Sequence, residues 1–252
     1  MGKIYAVANQ KGGVGKTTTC INTAASLAEA GATVLLVDID PQCNATHGLG
    51  VHDATAHTVY DIFTHDVSVE SVIAGTQIPH LFLVPSTPDL AAAEIELIGR
   101  DQREYVLSHA LQGISSDFDY LFIDCPPSLG LLTINGLVAA DKLIIPVQCE
   151  YYALEGLGQL LNTVSAVQSN LNRKLRIGGV LMTMYDPRTR LSTQVVNEVR
   201  THFPELTYKT VIPRNVRLSE APSHGKPISR YDPTCAGSDA YFDLATEVVE
   251  RE

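Results

Sequence analysis

The chain has 252 residues, of which 45% are hydrophobic, and it carries a formal net charge of −10 at pH 7. Its length is sufficient for one large α/β domain or two small ones. No apolar run approaches the ~20 residues that a membrane-spanning helix requires, and the strand-like N-terminus leads us to expect no secretory signal. The five cysteines are scattered without a CxxC pair. That pattern favours reduced thiols in the cytosol and argues against a zinc or iron–sulfur cage within one chain.

Short apolar runs alternate along the chain with helix-length amphipathic segments. The runs are typical of buried parallel strands, which we predict at Ile4–Ala8, Thr33–Val37, Leu81–Val84, Tyr120–Ile123, Lys142–Val147, Ile177–Thr183 and Thr210–Ile212. The segments between them predict helices at Thr17–Ala30, Leu90–Gln112, Leu129–Ala139, Leu154–Leu171, Thr193–His202 and Ser238–Glu250. The alternation predicts a doubly wound, mostly parallel α/β sheet with helices on both faces, and ligands at the carboxyl ends of its strands.

We predict a single domain over residues 1–252, because no repeat, low-complexity tract or linker divides the chain. The stretch Leu49–Gln77 has the weakest pattern and predicts short helices and loops.

A glycine-rich segment, Lys11–Thr18, lies between the first predicted strand and the first predicted helix. Glycines let the backbone turn so that successive N–H groups point at phosphate oxygens, and the helix adds its positive N-terminal end. Lys16 is placed to reach the β- and γ-phosphates, and the Thr17 hydroxyl to ligate Mg²⁺. The segment therefore predicts a P-loop that binds a nucleoside triphosphate and Mg²⁺, through Gly12, Gly13, Val14, Gly15, Lys16, Thr17 and Thr18.

Two other predicted strands end in carboxylates. The second strand ends in Asp38-Ile39-Asp40-Pro41, and two carboxylates there cannot both be core residues without partners. The strand at 120–123 runs into Asp124, which is the pattern of a carboxylate that holds Mg²⁺, usually through a water. Beside a P-loop, these aspartates predict the rest of a phosphoryl-transfer site.

Charge is unevenly distributed along the chain. Residues 173–230 hold eleven basic and four acidic residues, a net charge of +7, whereas the rest of the chain carries −17. Such asymmetry indicates one face suited to a polyanion. The competing interpretation is a solvated surface over which the charges disperse when the chain folds.

The P-loop departs from the common pattern because Gln10 stands where glycine is usual and a second lysine, Lys11, lies inside the loop. This variant resembles the deviant Walker A motif of the ParA/MinD ATPase superfamily. The resemblance implies an ATPase in which Lys11 reaches the phosphates bound by a second subunit, so that ATP holds a homodimer together. It also implies that Asp40 orients the attacking water and that Asp38 lies near the metal or Lys16.

The same resemblance implies that Met184, Pro213 and Asn215 contact the adenine. A turn proline and a helix-capping asparagine are the competing interpretations of the last two residues.

Two long stretches, Gln148–Leu157 and Val211–Gly225, are similar to those of small chromosomal ParA proteins. In that subfamily, arginines that match Arg188 and Arg217 bind DNA without sequence preference, and both lie in the basic segment. The resemblance implies partition of DNA on the nucleoid, with double-stranded DNA and a ParB-like activator of hydrolysis as partners. Residues for a separate N-terminal DNA-binding domain are lacking, so we expect no specific operator recognition.

Three alternatives keep the ATPase but change its role. A MinD-like protein that cycles on membranes ends in a basic amphipathic helix, whereas residues 244–252 are acidic here and would be repelled by anionic lipid. We therefore expect no membrane partner. An iron–sulfur carrier ATPase is disfavoured by the missing cysteine pair. A nucleotide-gated scaffold for another cargo is the alternative that the sequence excludes least.

Overall fold

The computed structural model describes residues 2–51, 56–151 and 153–252. Within these ranges, eight strands form one sheet in the order β3-β4-β2-β5-β1-β6-β7-β8. The strands are β1 (Lys3–Val7), β2 (Val34–Asp38), β3 (Ala74–Gly75), β4 (Leu81–Val84), β5 (Tyr120–Asp124), β6 (Lys142–Gln148), β7 (Arg176–Tyr185) and β8 (Thr207–Pro213). Every neighbouring pair is parallel except β3 and β4.

The helices of the described residues cover both faces of the sheet. They are α1 (Lys16–Glu29), α2 (Asn44–Gly48), α3 (Val59–Thr64), α4 (Leu90–Glu96), α5 (Val106–Gln112), α6 (Leu131–Ala139), α7 (Ala153–Asn170), α8 (Arg190–His202), α9 (Val216–Glu220), α10 (Ile228–Tyr231) and α11 (Ala236–Glu250). Single 3₁₀ turns lie at Val69–Ser71, Leu97–Gly99, Arg103–Tyr105 and Ala221–His224.

The core consists of two apolar layers, one on each face of the sheet. Adjacent strand residues point to opposite faces, so Leu35 belongs to the layer with Leu137 of α6, and Leu36 to the layer with Leu244 of α11. Each fully buried side chain of this size stabilises the fold by about 1.5–3 kcal/mol. Burial on both faces explains why the strand sequences are continuous apolar runs. The predicted doubly wound, mostly parallel sheet is confirmed.

The helix predicted over Leu90–Gln112 is wrong, because the chain breaks between α4 and α5. Gln102 has a φ of 57°, in the left-handed region that ends a helix. The buried Asn135 of α6 fills the break: its Nδ2 donates to the Arg103 carbonyl at 2.9 Å, and its Oδ1 accepts from the Leu107 N–H at 3.1 Å. A side chain 28 and 32 residues away in the chain therefore satisfies the backbone groups that the broken helix leaves unpaired.

Other differences concern the less regular stretches. Leu49–Gln77 contains α3, a 3₁₀ turn and the short strand β3 in its described part, while residues 52–55 lie outside the described residues. The sequence also missed the short helices between Val216 and Tyr231, which precede α11. Among the described residues, no helix combines the length and apolarity needed to cross a membrane.

Candidate functional site

The predicted phosphate residues meet at the carboxyl ends of three neighbouring central strands. Asp38 of β2 and Asp124 of β5 are paired in register, and Val7 of β1 is the register partner of Asp124 on its other side. The glycine-rich loop leaves β1 at this edge and enters α1 at Lys16. Parallel pairing therefore brings residues distant in the chain into one site.

Backbone geometry shows why the loop requires glycine at two positions. Gly13 and Gly15 have φ values of 73° and 92°, which disfavour any side chain. A Cβ on Gly15 would come no closer than 3.8 Å to Thr183, so in this protomer backbone strain, rather than crowding, selects glycine. The Thr183 hydroxyl donates to the Val14 carbonyl at 2.8 Å and thereby holds the loop against β7.

Lys16 is buried at the base of this loop, where its Nζ lies 3.3 Å from the Lys11 carbonyl oxygen. Burial lowers the pKa of Lys16, while the carboxylates of Asp124 and Asp40 favour the charged form. An ammonium held at the N-terminus of α1 can bind phosphate oxygens together with the loop N–H groups.

Asp38 and Asp124 form a buried carboxylate pair. Burial raises the pKa of both side chains. Asp38 is stabilised by the N–H and hydroxyl of Thr46, at 2.8 and 2.7 Å, and by the Asp40 N–H at 3.1 Å. The Oδ2 of Asp124, in contrast, is buried without a hydrogen-bond partner.

A buried carboxylate oxygen without a hydrogen-bond partner suits a divalent cation, which would supply the missing partner. The Thr17 side chain acts to lower the pKa of Asp124, so the predicted hydroxyl ligand lies close to this carboxylate. Carboxylate and hydroxyl oxygens with room for waters suit Mg²⁺. The residues present therefore fit Mg²⁺, which Thr17 and Asp124 would hold, with Asp38 as the carboxylate paired with Asp124 in register.

Asp40 faces the phosphate cavity. Its Oδ1 accepts from the Gln42 N–H at 2.9 Å, and its carbonyl oxygen accepts from the Ser86 hydroxyl at 2.8 Å. Cys43, three residues on, has a φ of 56°, so the chain turns sharply behind the carboxylate. The turn directs Asp40 toward the cavity beside the glycine-rich loop, whereas Asp38 faces the interior.

The side chain of Lys11, unlike that of Lys16, is directed out of the loop. Its Nζ is exposed and forms an ion pair with Glu150 at 2.8 Å, and Glu150 in turn accepts from Gln148 at 2.6 Å. The loop backbone is fixed by Asn9, whose Oδ1 accepts from the Lys11 N–H at 3.0 Å. The second lysine thus projects outward rather than toward the phosphates of its own chain.

Two adjoining cavities run along this edge. The larger, of about 520 Å³, is lined by the loop, by Asp40 and by Pro127. The smaller, of about 370 Å³, is lined by the three predicted adenine residues Met184, Pro213 and Asn215. Both cavities share Gly15, Thr18, Met184 and Pro222, so a triphosphate on the loop could continue into the smaller cavity with its base.

Asn215 also caps a helix, because its Oδ1 accepts from the Arg217 N–H at 2.8 Å at the start of α9. The competing interpretation as a helix cap is therefore confirmed. Its adenine role, like the other predicted site roles, stays a prediction.

The sequence did not assign the wall of the larger cavity formed by Pro222, Ser223 and Lys226. This segment reaches the site because the Asn22 side chain of α1 accepts from the Ile228 N–H at 2.7 Å. No local pattern marks that contact, which joins residues 206 positions apart.

The two predicted DNA-binding arginines leave the same edge on neighbouring strands. Arg188 follows β7 and Arg217 follows β8, and Tyr185 and Pro213 are register partners at the ends of these strands. Arg188 pairs with Asp186, with 2.7 Å between Nη2 and Oδ2. Arg217 pairs with Glu220 at 2.8 Å and with Asp232 at 3.3 Å.

Residues 2–177 match the protein family described as an AAA domain. Over 250 residues, the chain is 59% identical to the sporulation initiation inhibitor protein Soj of Bacillus subtilis, covering 99% of each chain. It is 52% identical to the chromosome-partitioning ATPase Soj of Treponema pallidum, covering all of this chain and 99% of that one.

A solved structure named cobyrinic acid a,c-diamide synthase, from Mycobacterium smegmatis with bound ADP and magnesium, is 41% identical. It superposes with a TM-score of 0.86 over 99% of this chain and 95% of that one. The deviant loop and the near-complete match to the two Soj proteins agree, and the chain belongs to the Soj/ParA family of chromosome-partitioning proteins.

Proposed function

We propose that this protein is an ATPase that dimerises around ATP, binds DNA without sequence preference and drives the partition of a chromosome or plasmid. The observation that carries the proposal is the convergence of the loop, Asp40 and Asp124 on one sheet edge that Arg188 and Arg217 also flank. A ParB-like partner would stimulate hydrolysis. All these roles fall to one ATPase domain over residues 1–252, acting in the cytoplasm on the nucleoid.

Nucleotide binding rests on the loop and the buried cation. The N–H groups after Gly12 and the Lys16 ammonium bind the phosphates, and the smaller cavity receives the adenine. Thr17 and, through a water, Asp124 would hold Mg²⁺, which would supply positive charge beside the β- and γ-phosphates. The ADP and magnesium of the mycobacterial structure support this assignment.

Hydrolysis requires a water held in line with the γ-phosphate. Asp40 lines the cavity and its carboxylate is oriented by the Gln42 N–H, which suits it to hold such a water. Phosphoryl transfer depends mainly on positioning and on stabilising charge, so Asp40 need not be a strong base. Lys16 and the loop N–H groups would hold the charge that develops on the phosphate oxygens.

Dimerisation is assigned to Lys11. Its exposed ammonium points away from its own phosphate cavity, so it is available to a second subunit that faces this edge. Binding a partner's phosphates requires exchanging the ion pair with Glu150 for a triphosphate that carries more negative charge. ATP would then be buried between two copies related by a two-fold axis.

DNA binding is assigned to the basic face, which we define as Arg188 and Arg217 with the basic residues around them. A dimer doubles this face, which gives ATP control over affinity for phosphates. The arginines contact backbone phosphates, so we propose no sequence preference.

Two observations weigh on the alternatives. Helix α11 is packed against the sheet through Tyr241, Leu244 and Val248, so it is not a free helix that could lie on a membrane. The synthase activity in the mycobacterial name is not transferred, since relatives at 52% and 50% identity carry partition names.

The proposal is tested by measuring dimerisation and DNA binding in parallel with ATP, ADP and no nucleotide. Size-exclusion chromatography should show a dimer with ATP alone, and fluorescence anisotropy should show equal affinities for unrelated duplexes under that condition. Equal DNA binding with ADP and ATP would remove the proposed switch. A dimer that hydrolyses ATP but binds no DNA would favour a scaffold for another cargo.

A further inference from the structure

Helix α4 and the 3₁₀ turn that follows it expose an apolar stripe. Helix α4 contacts the start of α6, which follows one wall of the phosphate edge. By phosphate edge we mean the glycine-rich loop with the carboxyl ends of β1, β2 and β5. The buried face of α4 carries Leu90, Ala93 and Leu97, yet Ile95 and Ile98 on the outer face are 71% and 65% exposed. The two side chains are three residues apart and share one face of the helical segment. We call this surface, with Ala91 one turn earlier, the α4 stripe. Solvent exposure of two isoleucines at helical spacing is typical of an interaction site.

Acidic residues flank the α4 stripe. Asp89, Glu96 and Asp101 are exposed around it. The neighbouring cations are already neutralised, because Arg100 pairs with Asp66 and Arg103 with Glu104. The stripe therefore offers an apolar centre with a negative rim, which is complementary to a basic amphipathic segment.

Glu94 connects the stripe to the phosphate cavity. Glu94 is half-buried on α4. Its Oε1 accepts a hydrogen bond from the Leu132 N–H, in the first turn of α6, at 3.4 Å. A Cβ on Gly130 would meet the same carboxylate, so a larger residue there would displace the Glu94 side chain from the start of α6.

The segment before α6 completes this connection. The Thr133 hydroxyl donates to the Ser128 carbonyl at 2.7 Å, which joins α6 to the residues that precede it. Pro127, the next residue back, lines the phosphate cavity together with Gly12. A displacement of α4 would thus be transmitted through a continuous set of contacts to the wall of the nucleotide site.

We infer that the α4 stripe is the docking surface for a basic amphipathic segment of the hydrolysis activator, and that Glu94 couples its binding to the loop at 126–130. This inference rests on the proposed function, because it assumes an activator. Apolar contacts with Ile95 and Ile98 provide affinity, and the acidic rim selects a basic partner. A small surface of this kind suits a transient encounter.

The test uses the full chain with ATP, DNA and the purified ParB-like protein of the same organism. The double variant Ile95→Ser/Ile98→Ser should retain ATP binding, dimerisation, DNA binding and basal hydrolysis, because both side chains are exposed. Its affinity for the activator should fall about tenfold or more, and stimulation should be lost at concentrations that saturate the wild type. Phe242→Ser is the matched control, since Phe242 is 61% exposed on α11, away from this surface.

Glu94→Gln separates docking from coupling. This variant should bind the activator with nearly wild-type affinity but show reduced stimulation, because the charge at the start of α6 is lost while the stripe is intact. A fluorophore attached to Ile95→Cys should shift to shorter wavelength when the activator binds, which reports docking independently of catalysis.

The outcomes distinguish the inference from the proposed function. Full stimulation of the Ile95→Ser/Ile98→Ser variant would overturn the inference and leave the proposed function intact. If the ParB-like protein does not stimulate hydrolysis by the wild type, both the activator of the proposed function and this inference are wrong. Loss of ATP-dependent dimerisation in the double variant would make the stripe a contact between two copies. If the wild type binds anionic vesicles and the double variant does not, the α4 stripe would be a lipid contact. Either result would overturn the inference.

Discussion

The phosphate edge and the basic face both carry functional charges, but they hold them differently. At the phosphate edge, Lys16, Asp38 and Asp124 are buried, so folding has already removed the water around these side chains. On the basic face, the Arg188 side chain is 84% exposed and, like that of Arg217, is paired with neighbouring acids. Buried charges interact strongly and depend on exact partners, whereas exposed ones are screened by water and salt. We therefore expect substitutions at the phosphate edge to cause near-complete loss of a function. Substitutions on the basic face should reduce DNA affinity only partly.

The largest effect is expected for Lys16→Ala, which removes the buried cation of the phosphate edge. ATP affinity should fall about 100-fold or more, since loss of one partner from a buried charged contact costs at least about 2–3 kcal/mol. Isothermal titration calorimetry measures this directly. Lys226→Ala is the control, because Lys226 is an exposed lysine in the wall of the same cavity. Similar losses of ATP affinity in Lys16→Ala and Lys226→Ala would show that burial does not make Lys16 the more important cation for ATP binding.

Asp40→Ala should separate binding from hydrolysis within the phosphate edge. The variant should bind ATP, dimerise and remain on DNA, while hydrolysis falls about 100-fold because the attacking water is no longer positioned. Single-turnover release of phosphate measures the chemical step. Release at the wild-type rate would assign Asp40 to the turn alone.

Lys11→Ala should affect the contact between protomers rather than the binding of nucleotide to one protomer. We expect ATP affinity of the monomer to change little and ATP-dependent dimerisation to be lost, because Lys11 is exposed and directed away from its own cavity. Glu150→Gln removes the same ion pair but keeps the lysine, and it should still dimerise. A stable Lys11→Ala dimer with a non-hydrolysed ATP analogue would contradict the role in trans.

Arg188→Ala and Arg217→Ala test the graded behaviour of the basic face. Each should weaken DNA binding several-fold and equally for unrelated sequences, while basal hydrolysis without DNA stays normal. Each should also reduce the slope of log affinity against log salt by about 1, as expected for one phosphate contact. A loss that depends on sequence would indicate base recognition instead.

The smallest effect is expected for Asp186→Asn. The ion pair and hydrogen bonds with Arg188 lower the pKa of Asp186 to about 2, so this carboxylate is ionised near neutral pH and competes with DNA phosphates for the arginine. Its removal should raise DNA affinity about two- to fivefold, in the range of exposed ion pairs. Asparagine can still accept the backbone hydrogen bond from Arg188. Unchanged or weaker binding would mean that the pair positions Arg188 for DNA.

Local patterns in the sequence were sufficient to predict the frame of the site. The spacing of Lys11, Gly15 and Lys16 after a buried strand indicates the loop, and apolar runs that end in Asp38 and Asp124 indicate the neighbouring strands. Parallel strands present their carboxyl ends at one edge, so these residues could be placed together without coordinates. Continuous burial on both faces likewise made the core strands recognisable.

Only the tertiary structure decided the features that depend on contacts between distant residues. Asn135 interrupts the helix predicted across residues 90–112, Glu150 holds Lys11 away from its own phosphates, and Asn22 brings the 221–228 segment to the cavity. Each is a single side chain meeting a backbone or charge far along the chain, and such contacts leave no periodic signal. The sequence by itself therefore determined which residues form the strands and the loop, because backbone sterics and burial act locally. Packing decided which of the remaining polar side chains meet.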